Sequence, residues 1–88
     1  MTTSPASLTG VVQAIGVRFE GDRLYVSLSD GREVSVPVSK VEWLAWLAQA
    51  SPEQREHWSV EPDGFAVYWE DLDDGFEIIH LLAMQSLT

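Results

Sequence analysis

The stretch "VVQAIGVRFEGDRLYVSLSDGREVSVPV", residues 11–38, decides the fold. Val, Ile, Phe and Tyr recur in it with a period of two, and the alternation is broken only at "EGDR" (20–23) and "SDGR" (29–32), both made of turn residues. Successive side chains of a strand point to opposite faces, so Leu24, Val26 and Leu28 share one face, and Val34 and Val36 share a face of the next strand. The pattern predicts three strands in an antiparallel meander. Asp30-Gly31 predicts a two-residue type I′ hairpin, because that turn needs positive φ at both central positions and Asp and Gly tolerate it. Pro37 has no N–H to give a ladder and should end the third strand.

Beyond the meander the period changes. "SKVEWLAWLAQA" (39–50) predicts a helix with Ser39 as N-cap and Glu42 in the capping-box position. It would carry two apolar stripes, Val41/Leu44/Ala45/Ala48 and Trp43/Trp46/Leu47/Ala50, of which so small a domain can cover only one. "SPEQREHW" (51–58) predicts a short second helix, with Ser51 as N-cap, Pro52 at its first position and Gln54 closing the box. "SVEPDGFAVYW" (59–69) returns to extended structure, with "EPDG" as a turn and Phe65–Trp69 as a strand buried on both faces. "EDLDDG" is a polar turn whose acids could cap a following helical turn, and "FEIIHLLAM" (76–84) fits a strand or a helix equally. The fold class expected is therefore α+β: an antiparallel β-meander of three strands, one or two helices, then a further strand and a short C-terminal element.

With 88 residues, 45% hydrophobic and 22% charged, the chain has the make-up of one small globular domain, expected over residues 9–85 behind a frayed start at 1–8. Fourteen acidic residues against five basic ones give a formal charge of −9, which repels phosphate backbones and attracts basic proteins. No direct nucleic-acid binding is expected. There is no cysteine for a disulfide or thiolate site, and the polar opening and absence of a long apolar run point to a cytoplasmic protein without membrane contact.

"YWEDLDDGFEIIHLL" (68–82) holds the densest chemistry: Glu70, Asp71, Asp73, Asp74, Glu77 and His80. An EF-hand loop with its glycine at Gly75 would place Leu72 and Leu81 where oxygen ligands belong, and His57 and His80 alone make no zinc site, so no metal is predicted. No P-loop, dinucleotide fingerprint or nucleophile elbow occurs, so no catalytic residue and no cofactor is predicted either. The acidic run is expected to be a turn and a surface. Among the tryptophans, Trp58 and Trp69 are assigned to the core, while Trp43 and Trp46 lie on the second stripe, where indoles serve as interface anchors. The predicted partner surface comprises Trp43 and Trp46 with Glu70, Asp71 and Asp74 as its charged rim, and its partner is a small basic protein.

"DGREVSVPV" (30–38), "ASPEQREHW" (50–58) and "YWEDLDDGFEIIHLL" (68–82), in that order, resemble a small bacterial family, domain of unknown function 2442, over roughly residues 9 to 84. Matching parts are Asp30-Gly31-Arg32 with Pro37, Pro52-Glu53-Gln54-Arg55 with Trp58, and Trp69, Leu72 and Asp73 with Leu81-Leu82. The chain departs from the commoner pattern between Pro37 and Pro52, where it has extra residues and no proline after Trp43. The resemblance implies an α+β fold and no recognised catalytic residues. Relatives are often encoded beside domain of unknown function 4160, read as a toxin, which implies the antitoxin of a toxin-antitoxin pair. A homodimeric regulatory adaptor without a toxin partner and a small carboxylate-based enzyme are the alternatives.

Overall fold

The computed structural model describes residues 12–61 and 63–85. The frayed start expected at residues 1–8 lies outside them. The alternating stretch forms β1 (Ala14–Glu20), β2 (Arg23–Leu28) and β3 (Glu33–Pro37), an antiparallel sheet in that order. Leu24 stands opposite Phe19 and Val36, and Val26 opposite Val17 and Val34, so the apolar positions of three strands meet on one face. Leu24, Val26, Leu28, Val34 and Val36 are buried there, as the alternation requires. A bulge between Ala14 and Gly16 shifts the register by one and leaves Ile15 on the outside, 65% exposed. On the outer face the Arg18 guanidinium lies 3.9 Å from the Tyr25 ring centroid and pairs with Glu20 and Glu33.

The Asp30-Gly31 turn differs from expectation. It is a three-residue loop, Ser29 to Gly31: Gly31 N–H donates to Leu28 O (3.1 Å) and Leu28 N–H to Arg32 O (2.8 Å). Only Gly31 takes positive φ, at 92°, so one left-handed residue does the work assigned to two. Asp30 instead turns its carboxylate back onto Arg32, accepting from the backbone N–H (3.0 Å) and from Nε (2.7 Å), and these bonds hold its pKa below the ordinary value.

The single helix expected over 39–50 is also replaced. Two 3-10 turns, Val38–Lys40 and Glu42–Leu44, are separated by an extended Val41, and only Ala45–Ala48 is α-helical (α1). The physical reason is in the buried positions: Val38, Val41, Leu44 and Leu47 recur every third residue, the period of a 3-10 winding and not of an α-helix. Leu47 is therefore core, although its stripe was the one expected to lack cover. Ser39 caps nothing; its N–H and hydroxyl both donate to Asp22 and tie this segment to the β1–β2 turn.

Pro52–Arg55 (α2) begins as predicted, with Ser51 Oγ accepting from Gln54 N–H (3.1 Å) and Gln54 Oε1 accepting from Ser51 N–H (2.9 Å). It ends early, and Trp58 opens a second antiparallel sheet: β4 (Trp58–Val60), β5 (Ala66–Trp69) and β6 (Asp74–Glu77), in that order. The strand expected to be buried on both faces is buried on one: Val67 and Trp69 are solvent-free, Ala66 and Tyr68 half-buried, and Phe65 is 46% exposed. Between β5 and β6 the acidic turn is a 3-10 turn, Glu70–Leu72, followed by Asp73 in the left-handed region at φ 51°. Its acids precede a strand, so they cap no helix. The ambiguous "FEIIHLLAM" is both alternatives in succession, the end of β6 and then α3 (Ile78–Gln85).

Backbone bonds from Ala14 N–H to Gly64 O (2.7 Å) and from Ile78 N–H to Phe65 O (2.8 Å) join the parts. Trp69 is the central side chain, with Trp46 (5.8 Å between ring centroids), Phe76 (5.7 Å) and Phe19 (6.4 Å) around it. Ile78 and Leu81 of α3 complete the core, and α3 packs against β3.

Candidate functional site

Trp43 belongs to the tight turn whose two neighbours in the three-residue period, Val41 and Leu44, are buried. Its own ring is left outside, 40% exposed, edge-on to Phe76 (6.1 Å between centroids) and to His80 (6.2 Å). Trp46 does not stand beside it on the surface. Its ring packs against Trp69 and its Nε1–H donates to Trp43 O (2.9 Å), so it braces the backbone that carries Trp43.

Trp43 forms one wall of a groove of about 530 Å³ on the second sheet. The register explains the rest of the lining. Val60 pairs with Val67, and Glu61 N–H donates to Ala66 O (3.0 Å), while Ala66 also pairs with Glu77. Glu61, Ala66 and Glu77 thus form one row across the sheet, and Tyr68 and Gly75 lie in the next row on the same face. Two carboxylates flank a methyl group, and Trp43 and Tyr68 line the same groove. Among the described residues neither glutamate meets an Arg or Lys; Glu77 has only His80 at 3.9 Å. Glu77 and His80 stood out in the sequence as part of the acidic run, but Glu61 and Ala66 escaped it because they become neighbours of Glu77 only through strand register. In the structure Ala66 and Tyr68 lie on the face away from the buried Val67 and Trp69.

The acids predicted as the rim lie at the end of this sheet. Asp74 pairs with Trp69 in register, and its carboxylate accepts from Gly75 N–H (2.8 Å). Asp73 accepts the Tyr68 hydroxyl (2.5 Å), which raises the phenol's pKa and joins the acidic turn to the groove. Asp71 faces the other way, onto His57 Nδ1 at 2.6 Å, and this hydrogen bond, then the charge, raises the imidazole pKa. Glu70 is exposed at the turn's start. The structure therefore gathers Trp43 with Glu61, Glu77 and His80, and leaves Trp46, Glu70, Asp71 and Asp74 outside the groove lining. Among the described residues no three His, Asp or Glu side chains stand together so as to hold a metal ion.

A second cleft, of about 540 Å³, lies between β1 and the α2–β4 segment, with Val17, Phe19 and Gly21 on one wall and Pro52, Arg55 and Trp58 on the other. Arg55 is committed to structure there. Its Nε, Nη2 and Nη1 donate to the carbonyls of Leu47, Ala48 and Gly21 at 3.2, 3.1 and 3.1 Å. Its own carbonyl accepts from Trp69 Nε1–H (3.0 Å).

Fold and groove together define a small two-sheet α+β domain with an acidic, aromatic concavity on its second sheet. The chain belongs to the family of proteins of unknown function DUF2442, whose profile matches residues 14–84. It shares its fold with a protein of unknown function from Rhodospirillum rubrum ATCC 11170, solved by crystallography at 2.75 Å. The TM-score is 0.70 and the identity 24%, over 83% of this chain and 87% of that one. No curated protein sequence matches the chain. Among the described residues no helix is long and apolar enough to cross a membrane.

Proposed function

We propose that the protein is a non-catalytic cytoplasmic binding module that holds a small basic protein against its acidic, aromatic surface, the part an antitoxin plays toward its toxin. The observation that carries this is the placement of Trp43. Trp69 is fully buried and Trp46 packs against it, whereas Trp43 stands exposed beside carboxylates that have no Arg or Lys partner among the described residues. An indole half in water beside uncompensated negative charge has the chemistry of an interface anchor with an electrostatic border, and Glu70 and Asp74, with Asp71 turned toward His57, add negative charge at the end of the same sheet.

Co-expression with the product of the adjacent reading frame, followed by capture on a tag, is the test. A complex should form that Trp43→Ala weakens by about 2 kcal/mol or more while leaving the thermal midpoint nearly unchanged. Trp46→Ala should instead cost about 3–5 kcal/mol of folding stability. Neutralising Glu70, Asp71 and Asp74 together should slow association and flatten its salt dependence. Equal loss of stability in both tryptophan variants, or no complex with any basic neighbour, would overturn the proposal.

A homodimeric adaptor is the second possibility, favoured by Ile15, Phe65 and Ile79, exposed at 65, 46 and 67%. They sit close along the backbone bonds that join Ala14 to Gly64 and Phe65 to Ile78. A concentration series in light scattering separates the two: a mass that doubles without any second protein supports the adaptor.

A further inference from the structure

We infer that the groove beside Trp43 is a receptor for one arginine side chain, which would be the point at which a basic partner is gripped; this rests on the binding function proposed above and makes it specific. The ligand's charge follows from the carboxylates. Glu61 and Glu77 lie on the same face on either side of Ala66, two strand spacings or about 10 Å apart. Among the described residues no Arg or Lys of this chain forms a salt bridge with either. Of the five basic residues, Arg18 is occupied by Glu20 and Glu33, Arg32 by Asp30 and Arg55 by three carbonyls, and Arg23 on β2 and Lys40 in the 3-10 turn form no salt bridge with Glu61 or Glu77. A cation from elsewhere would therefore meet two unbalanced carboxylates.

The size and shape of the cation follow from the remaining lining. Two carboxylates on strands about 10 Å apart do not converge on one metal ion, whose ligand atoms lie about 2.0–2.6 Å from it, and among the described residues no three His, Asp or Glu side chains stand together. A planar guanidinium is suited to what is there. It stacks on aromatic rings, two of which, Trp43 and Tyr68, line the groove, and its forked donors reach carboxylates in two directions. Ala66 and Gly75 keep the floor low between those walls, so that a flat group can lie against the sheet. Lysine would place a single point charge in a trough wider than it can fill.

The experiment is a titration of the isotopically labelled protein with blocked arginine amide, read at the indole N–H of Trp43 by NMR. Blocked lysine amide and blocked citrulline amide, the uncharged analogue of arginine, are the comparisons. Saturable shifts in the millimolar range for arginine are expected, at least tenfold weaker in the Glu61→Gln, Glu77→Gln double variant and weaker again for citrulline. The double variant changes only exposed side chains and should fold, which its unchanged spectrum elsewhere will verify. No saturation with arginine, equal affinity for citrulline, or undiminished affinity in the double variant would each overturn the assignment; equal affinity for lysine would overturn its guanidinium selectivity. A partner that still binds the double variant at full strength leaves the binding function standing and removes the groove from it. Arginine binding in a protein that captures no basic partner does the reverse.

Discussion

At Gly75 the chain has no room for a side chain. A Cβ built there would lie 2.3 Å from Val67 O and 3.0 Å from Tyr68 Cα, both backbone atoms of the neighbouring strand, so neither can swing aside. Gly75→Ala must push β6 away from β5, and overpacking of that kind costs about 1–3 kcal/mol. The urea midpoint is the measurement; an unchanged midpoint would show that the two strands separate freely. His57 and Asp71 set a different kind of expectation at this scale. Both are substantially exposed, yet the hydrogen bond that the imidazole N–H gives to Asp71, the Asp71 charge, and the nearby Glu53 and Glu56 raise the imidazole pKa above the ordinary 6.5. A histidine with a raised folded-state pKa contributes stability that is fully present below about pH 6.5 and fades as pH climbs through the raised value. NMR titration of His57 should show its midpoint falling back toward 6.5 in Asp71→Asn, and an unmoved midpoint would assign the pair no energetic role.

Two four-residue helices cannot persist alone, because nucleating a helical turn fixes several residues for one hydrogen bond. Arg55 holds them in place. From α2 its guanidinium reaches the last carbonyls of α1 and the β1–β2 turn, and Phe19 lies beneath it at 5.0 Å. Lys at this position keeps the charge but loses the fork, so Arg55→Lys should cost nearly as much as Arg55→Ala, about 1–3 kcal/mol by thermal denaturation. Full stability in the lysine variant would mean that charge alone mattered. Elements specified by contiguous residues were legible in the sequence: the Ser51–Gln54 capping box, the meander and its buried face. The winding between Pro37 and Ala50 was not. Trp43, Trp46, Leu47 and Ala50 satisfy an α-helical stripe as well as Val38, Val41, Leu44 and Leu47 satisfy a 3-10 one, and only the sheet beneath decides between them.

For the molecule as a whole, the charge of −9 was plain from the sequence, but its local meaning was not. The acids adjacent in sequence, from Glu70 to Asp74, spend two of their number on Tyr68 and His57, whereas Glu61 and Glu77, which line one groove, are sixteen positions apart in the chain. Pairing in three dimensions redistributes what a linear count displays. The place of α3 has a further consequence, for the order in which the protein comes into being. The three strands of the first sheet are joined by short turns, so a growing chain can close them as soon as Pro37 has emerged. Their apolar face is completed, however, by Ile78 and Leu81 of α3, about forty residues further along the chain. At synthesis rates of roughly 5–20 residues per second, the meander is left for a few seconds as a finished sheet without its lid. During that interval Leu24, Val26, Val34 and Val36 are presented to whatever is nearby, so a nascent chain of this protein stays adhesive until α3 has emerged.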